Sequence, residues 1–252
     1  MRIYDNIKLE VENMEENYIV KYWGHSSYSV ETKNHFIVFD YVEDASFKLH
    51  GETLHVSQSK INFDNIKKPI MMFNSHTHFD HYNRELNEKL SNNDNIFTIV
   101  GGPIKSLKNT TYLLPGDSIN IKDIQIYAST STDMGVCYLL EVDGIIIYYA
   151  GDNIDWGDGE ITTANYLMSM SALYDALNDN TINIGFVPVC NYSEQMYDSI
   201  TDSAIYICRE LGIEKVYPMH SKSSIKPYEI FKNICEQRED VNFEVIVLPQ
   251  EN

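Results

Sequence analysis

The segment 76–81, which reads His-Thr-His-Phe-Asp-His, places three imidazoles and one carboxylate within six consecutive residues. It follows an apolar run from Pro69 to Phe73 that is typical of a short buried strand. Leu86 and Leu90 come after it at helical spacing. The sequence therefore predicts that this cluster lies on a turn between a strand and a helix, where side chains can converge on one point.

The His-x-His-x-Asp-His pattern indicates metal binding. In an extended backbone, side chains alternate with a period of two, so His76 and His78 would share a face. The turn would carry Asp80 and His81 toward the same point. Imidazole nitrogens and carboxylate oxygens are the ligands that zinc and similar ions take. Four unrelated polar residues on a surface turn are the alternative, but the full pattern favours a metal site.

The charge of the chain argues against two classes of partner. Its 252 residues include 19 basic and 37 acidic side chains, which gives a net charge of −18. Nonspecific nucleic-acid binding and docking on an anionic membrane both need a cationic surface. We therefore expect a small-molecule substrate, with no nucleic acid and no membrane as partner. A homo-oligomer stays open, because nothing in the sequence identifies an interface.

Cysteine use and the N-terminal segment favour a cytoplasmic protein. The four cysteines are widely separated and lie among apolar residues, which favours buried, reduced thiols over disulfides. The segment 1–16 is acidic and lacks the apolar core of a secretory signal. The continuous apolar runs are far too short to span a bilayer.

Alternating and apolar runs predict a β-rich chain with helices following strands in both halves. Lys33-Asn34 and Asp143-Gly144 are typical of tight hairpin turns. Two packed sheets covered by helices would fit this order, which is an α/β (α+β) architecture. No linker divides the chain, so we expect one domain that spans residues 1–252.

The sequence also supports three expectations about local structure. The segment 42–65 is polar and mixed, and we interpret it as a loop or lid. His35 opens a predicted strand and is expected at the surface. The segment 163–177 is predicted to be a helix whose apolar positions form one buried face. Those positions are Leu167, Met170, Leu173, Tyr174 and Leu177.

Two further candidate ligands also follow apolar strands. Asp152 comes after Ala150-Gly151, and His220 comes after the predicted strand that ends at Met219. Each would be unremarkable alone, since an aspartate in a turn and a lone histidine are common structural residues. Because side chains at the ends of strands in one sheet layer can meet, we expect Asp152 and His220 to join the cluster around His76.

These motifs together resemble those of the metallo-β-lactamase superfamily of metal-dependent hydrolases. The match consists of the segment 76–81, Gly151-Asp152 and His220, with Asp40 similar to the aspartate of the family's first motif. That aspartate usually orders the site without binding metal. The segment 24–27, Gly-His-Ser-Ser, resembles the branch that includes ascorbate-6-phosphate lactonase-like and N-acyl-phosphatidylethanolamine phospholipase D-like proteins. The resemblance implies an αββα sandwich.

The resemblance also implies a role for each matching residue. His76 and His78 would belong to metal site one, whereas Asp80, His81 and His220 would belong to site two. Asp152 would bridge the two sites. One or two divalent ions are expected, with Zn²⁺ first and Mn²⁺ or Fe²⁺ as alternatives. Asp80 is also the expected catalytic residue, which would orient a water molecule or move a proton to the leaving group.

One position departs from the family pattern. Site one usually has another histidine before the Gly-Asp motif, but the chain has no histidine between His81 and His220. The matching segment, 127–135, offers Asp133 as an oxygen ligand, or places Ser131 or Thr132 beside an open site. A similar Ser-Thr-Asp-x-Gly element occurs in some bacterial members. An oxygen ligand would shift the metal preference toward manganese or iron.

Two residues near the motifs each fit two roles. His25 would line the pocket or bind a substrate anion, or it would only be hydrogen-bonded in a turn. Trp156, soon after Asp152, would form a wall of the substrate pocket or be part of the core.

The overall expectation is a metal-dependent hydrolase that acts on a small ester, lactone or phosphoester. A non-catalytic metal-binding or sensory domain is the first alternative, because the missing histidine could mean a lost activity. A nuclease of the same fold is a weaker one, because of the charge of −18. A di-iron redox role is weaker still, since that class normally has acidic substitutions in the metal motifs and a flavin partner.

Overall fold

The strands of the N-terminal half form one mixed sheet of six strands. The structure is a computed structural model that describes residues 17–43, 46–49, 52–55, 60–102, 107–191, 196–222 and 224–251. The strands of this sheet and the adjoining elements are, in chain order, β1 (Tyr18–Gly24), β2 (Ser27–Thr32), β3 (Phe36–Phe39), the separate hairpin β4 (Ser46–Leu49) and β5 (Glu52–His55), β6 (Ile70–Asn74), helix α1 (Arg84–Leu90), β7 (Ile96–Gly101) and β8 (Thr110–Leu113). The sheet order is β1-β2-β3-β6-β7-β8.

The C-terminal half forms a second mixed sheet of seven strands, and three helices pack on it. Its elements are β9 (Ser118–Ile121), β10 (Ile124–Thr130), β11 (Val136–Val142), β12 (Ile145–Tyr149), α2 (Glu160–Leu177), β13 (Ile182–Pro188), α3 (Asp198–Glu210), β14 (Ile213–Met219), α4 (Lys226–Glu236) and β15 (Glu244–Val245). The sheet order is β15-β14-β13-β12-β11-β10-β9. None of the helices among the described residues is both long and apolar enough to cross a membrane.

The inner faces of the two sheets pack together through aromatic rings. Phe39 of the first sheet stacks on Tyr149 of the second, with ring centroids 4.4 Å apart. Phe73 meets Tyr138 edge-on at 5.2 Å. Alternate residues of the same strands, such as Val38, point to the opposite face and pack in a second cluster with α1. This period-two alternation produces the predicted layers, two sheets with helices outside them.

Several expectations about the fold are confirmed and several need correction. Both predicted hairpin turns join antiparallel neighbours, and Asp143 and Gly144 have the positive φ that the tight turn requires. The segment 42–65 is not only a loop, since it contains the β4–β5 hairpin and a 3₁₀ turn at Phe63–Asn65. On α2, Leu167 and Tyr174 are 48% and 58% exposed. The predicted face of α2 was therefore wrong at those two positions.

The expectation that His35 lies at the surface was also wrong, because His35 is buried between two turns. Its Nδ1 lies 3.2 Å from Asp143 Oδ2, and its Nε2 lies 2.6 Å from the carbonyl oxygen of Lys122. The Asp143 carboxylate also accepts hydrogen bonds from Thr32 Oγ1 and from the backbone and side chain of Asn34. The β2–β3 turn of one sheet is thereby joined to two turns of the other.

This turn cluster predicts a pH-dependent contribution to stability. Burial opposes ionisation of Asp143, but the hydrogen bonds from Thr32, Asn34 and His35 lower its pKa to about 2. A lowered pKa means that the ionised form stabilises the fold above the unfolded pKa of about 4. The contribution is lost as the pH falls from about 4 to about 2. We expect Asp143→Asn to cost about 1–3 kcal/mol at pH 7.

Urea denaturation followed by circular dichroism at several pH values measures this difference. The gap between the wild type and Asp143→Asn should shrink as the pH falls below about 4. Asp123→Asn, in the exposed neighbouring turn, is the matched control and should leave stability unchanged at each pH. A gap that stays constant across the range would contradict the assignment.

Candidate metal centre

Strand ends of both sheets meet at one edge of the sandwich and carry the candidate ligands there. β12, β13 and β14 are parallel, so residues that follow β12 and β14 lie at one edge of the second sheet, and residues that follow β6 of the first sheet meet them there. Residues at the ends of β1 and β3 and in the β10–β11 connection reach the same edge. The side chains that meet are His25, Asp40, His76, His78, Asp80, His81, Asp133, Asp152 and His220.

Four of these side chains form what we term the first ligand group: His76, His78, Asp133 and Asp152. One potential ligand atom from each lies within 4.8 Å of those of the others. His78 Nδ1 is 3.4 Å from Asp133 Oδ2, and His76 Nε2 is 3.6 Å from Asp152 Oδ2. His76 and Asp152 are buried, whereas the side chains of His78 and Asp133 are 42% and 39% exposed. The first ligand group is therefore open to solvent on one side.

The second ligand group consists of His25, Asp80, His81 and His220, whose ligand atoms also lie within 4.8 Å of one another. All four side chains are buried. His81 Nε2 and His220 Nε2 lie 3.2 Å and 3.4 Å from Asp152 Oδ1. Asp152 thus directs Oδ1 toward the second group and Oδ2 toward His76 of the first, which places one carboxylate between the two groups.

The arrangement fits a divalent cation better than a network of direct hydrogen bonds. Bonds of about 2.0–2.2 Å at tetrahedral angles place two ligand atoms about 3.3–3.6 Å apart, which matches several separations given above. His81 Nε2 and Asp152 Oδ1 are both buried, and neither has a hydrogen bond within the part of the chain that the structure describes, although they are 3.2 Å apart. Buried polar atoms that lie this close without bonding to each other fit the donor pair of a bound cation.

Asp40 holds this cluster together without facing it. Its carboxylate accepts hydrogen bonds from Ser75 N, Ser75 Oγ and His81 Nδ1, each at 2.6 Å, and from Tyr149 Oη at 2.8 Å. Ser75 Oγ in turn lies 2.9 Å from His76 Nδ1. Although Asp40 also lies near His76 and His81, these donors occupy its oxygens. The ordering role of Asp40 stays a prediction.

The same contacts select the tautomers of three histidines. An ionised carboxylate can only accept, so His81 donates from Nδ1 to Asp40 and leaves Nε2 for the cluster. His76 Nδ1 faces Ser75 Oγ, and His220 Nδ1 faces the carbonyl oxygen of Cys190 at 3.1 Å. In each case Nε2 is the nitrogen directed at the other ligands.

The electrostatics of the cluster favour a bound cation. Burial alone would lower the pKa of His81, but the carboxylates of Asp152, Asp80 and Asp40 raise it to about 10. Burial lowers the pKa of His76 to about 4, so its imidazole is neutral at pH 7 and able to bind metal. Burial and the nearby Asp152 raise the pKa of Asp133. The buried carboxylates therefore attract positive charge to the point they surround.

Close backbone packing brings Asp133 beside His78. Val136 N donates to Ser75 O at 3.0 Å, and a side chain at Gly135 would lie 2.1 Å from that same oxygen. Only glycine fits this position, which also has a φ of +72°. Thr132 Oγ1 contacts the backbone of Asp152 and Ile154. The Asp133 loop is therefore fixed between the His-x-His turn and the Gly-Asp turn.

The structure brings together every residue predicted for the metal cluster. Asp133 lies in the first ligand group. Trp156 lies against His220, with ring centroids 5.3 Å apart, so it borders the cluster. Sequence reasoning missed Tyr149 and Ser75. Their positions, at the end of β12 and directly before His76, were the available signals.

The family of the chain follows from a comparison with protein-family models. The model described as the β-lactamase superfamily domain matches residues 19–158, which is more than half of the 252 residues. The chain belongs to this superfamily. The match includes the segment 76–81, Asp133 and Asp152. The search of curated proteins finds no match.

Solved structures of low sequence identity share the superfamily fold. Igni18, a metallo hydrolase from the archaeon Ignicoccus hospitalis, is 17% identical with a TM-score of 0.66, and the match covers 93% of this chain and 96% of that one. A putative metal-dependent hydrolase from Parabacteroides distasonis is 20% identical with a TM-score of 0.61 and coverages of 93% and 94%. These likenesses confirm the predicted αββα sandwich.

A third relative has a different chemistry on the same fold. CmlA, a diiron β-hydroxylase from Streptomyces venezuelae, is 10% identical with a TM-score of 0.59, and the match covers 93% of this chain and 53% of CmlA. The fold alone therefore does not specify the reaction. The family, the fold and the His/Asp cluster together agree with the predicted class of this superfamily member, a metal-dependent hydrolase.

The hydrogen bonds that Asp40 accepts predict that its charge strengthens metal binding by the cluster. Asp40→Asn keeps the side-chain shape but removes the charge that Ser75, His81 and Tyr149 contact. Loss of such a supporting contact typically weakens metal binding about 10–100-fold. Competition with a chromophoric zinc chelator would measure this change. The matched control is Asp64→Asn at an exposed site, and equal affinities of the Asp40 and Asp64 variants would contradict the role given to Asp40.

Proposed function

We propose that this superfamily member hydrolyses a small ester, lactone or phosphoester at a site that holds two divalent ions. The observation that carries the proposal is Asp152, whose two oxygens face two separate groups of buried and half-buried ligands. His76, His78, Asp133 and Asp152 would hold one ion. Asp80, His81 and His220, together with Asp152, would hold the other.

Bound ions at this edge would lower the pKa of a water molecule and polarise the bond under attack. The chain's own residues would supply the remaining functions. The open side of the first group, at His78 and Asp133, would admit the substrate. Trp156, beside His220, would border the substrate.

Asp80 would be the catalytic carboxylate. His81 and His25 counter the effect of burial and keep the pKa of Asp80 well below its usual value, so it would be ionised at neutral pH. An ionised carboxylate beside the reacting atoms can orient water and accept a proton for transfer to the leaving group. This role requires Asp80 to keep a fixed orientation, which its buried position supports.

The donor set suggests which ions would bind. Each proposed ion would have two histidines and two carboxylates, a donor set that suits Zn²⁺ and also Mn²⁺ or Fe²⁺. Asp133 would replace the histidine that the family usually has in site one. A donor at that position supports an enzyme over the alternative of a non-catalytic metal-binding or sensory domain.

The substrate class follows from resemblance and charge together. The Gly-His-Ser-Ser segment at 24–27 supports the lactonase-like and phospholipase D-like branch of the superfamily. The net charge of −18 disfavours a nuclease, whose polyanionic substrate would be repelled. Hydrolysis is favoured over the di-iron redox role because the segment 76–81 keeps the full His-x-His-x-Asp-His pattern.

Elemental analysis tests whether Asp133 is a ligand. Wild-type protein purified without added metal should hold two ions per chain, and Asp133→Ala should hold about one, because the first group loses an oxygen donor. Asp94→Ala, at an exposed aspartate paired with Lys108, should keep both ions. One ion in both wild type and Asp133→Ala would contradict a two-ion site, and no tightly held metal would contradict the proposed function.

A second experiment tests hydrolysis itself. Steady turnover of nitrophenyl esters and of bis-nitrophenyl phosphate should be measurable with the metal-loaded protein. Asp80→Ala should lower kcat by about 10²–10⁴-fold, the usual effect of removing a positioned acid or base. Asp94→Ala serves again as the control. A metal-loaded wild type without turnover on either class would favour the sensory alternative.

A further inference from the structure

His25 is the one member of the second ligand group that makes a direct side-chain hydrogen bond to another member's carboxylate. Its Nε2 lies 3.1 Å from Asp80 Oδ2 in hydrogen-bonding geometry. His81 Nε2 and Asp152 Oδ1 are just as close, at 3.2 Å, yet their orientation does not form a hydrogen bond. His81 Nε2 therefore faces the space it shares with Asp152, whereas His25 Nε2 points directly at the Asp80 carboxylate.

The acceptor fixes the proton on His25. An ionised carboxylate only accepts hydrogen bonds, so Nε2 of His25 carries the hydrogen that Asp80 receives. A protonated ring nitrogen cannot bind a metal ion at the same time. The side chain of His25 is completely buried, so water does not compete for this hydrogen bond.

The backbone around His25 is built to keep the ring in place. His25 and His220 both have positive φ, 48° and 77°, which is uncommon for residues other than glycine. His220 N donates to the carbonyl oxygen of His25 at 3.2 Å, and Tyr228 Oη donates to the same oxygen at 3.0 Å. Tyr228 Oη also accepts from Ser221 N. Strained backbone that the surroundings hold this firmly is typical of functional sites.

We infer that His25 is a positioning residue that donates a hydrogen bond from Nε2 to Asp80 and thereby fixes the orientation of that carboxylate at the second metal site. This inference rests on the proposed function. It gives the Gly-His-Ser-Ser segment a role in the reaction, since Asp80 can orient water or move a proton only when its carboxylate is held in one orientation. The second ion is then held by Asp80, His81, His220 and Asp152.

Two substitutions separate donation from metal ligation. His25→Leu removes the donor at similar volume, and His25→Gln keeps an N–H group that can donate. We expect His25→Leu to bind the second Zn²⁺ about 10–100-fold more weakly, as loss of a ligand's supporting hydrogen bond usually does. Its kcat should fall while KM changes little. His25→Gln should restore most of both losses.

The control uses a second buried histidine that contacts an aspartate. His35→Gln alters the His35–Asp143 contact, which lies in the turn cluster away from the metal centre, and it should leave zinc affinity unchanged. Chelator competition and elemental analysis measure binding, and paramagnetic proton NMR of the Co²⁺-loaded protein counts imidazoles bound to the ion. The number of shifted, exchangeable imidazole signals should be the same in the wild type and His25→Gln.

Each contrary result has a defined meaning. Loss of one imidazole signal in His25→Gln would show that His25 is a metal ligand and would overturn the positioning role. Zinc affinity and kcat of His25→Leu equal to those of the wild type would show a purely structural histidine and would overturn the inference while leaving the proposed function intact. A wild-type chain without bound metal would overturn both.

Discussion

The buried carboxylate of Asp40 is the interaction on which the rest of the site depends. It accepts four hydrogen bonds, two from Ser75, one from His81 and one from Tyr149, so it joins the β6 turn to the second sheet. A buried charge is tolerated only when it is paired and fully hydrogen-bonded. The need to satisfy Asp40 therefore fixes the distance between the sheets at this edge, and it orients His76 and His81 as it does so.

Three of the nine non-glycine residues with positive φ in the described part of the chain lie at strand ends that carry site residues. Asp40, His25 and His220 all have positive φ, at the ends of β3, β1 and β14. Each such residue costs of order 1–3 kcal/mol and persists only when the surroundings over-determine it. Here the surroundings are hydrogen bonds between segments distant in the sequence, such as His220 N to His25 O. The aromatic packing of the two sheets stabilises a fold that can hold these conformations.

Local patterns predicted most of the fold and much of the site, because hairpin turns and strand-end ligands follow from nearby residues. His76, His78, Asp80 and His81 lie in one segment whose spacing already implies a metal site. The roles of Tyr149 and His35 depend on which turn of the other sheet lies opposite, and no local pattern contains that information. The α2 face was misjudged for a similar reason, since helical periodicity locates a stripe but the sheet beneath decides which side of it is buried.

The two ligand groups differ in their exposure to solvent, and this difference favours a different role for each. The second group is buried, with His81 held by the Asp40 carboxylate and His220 by the carbonyl oxygen of Cys190, so an ion there would be bound tightly and exchange slowly. The first group exposes His78 and Asp133, so the substrate would reach its ion first. Asp152 links the groups, and Asp80, held by His25, faces the shared space from the buried side. Catalysis would then depend on a rigid interior that fixes the Asp80 carboxylate, while the solvent-exposed first group admits the substrate.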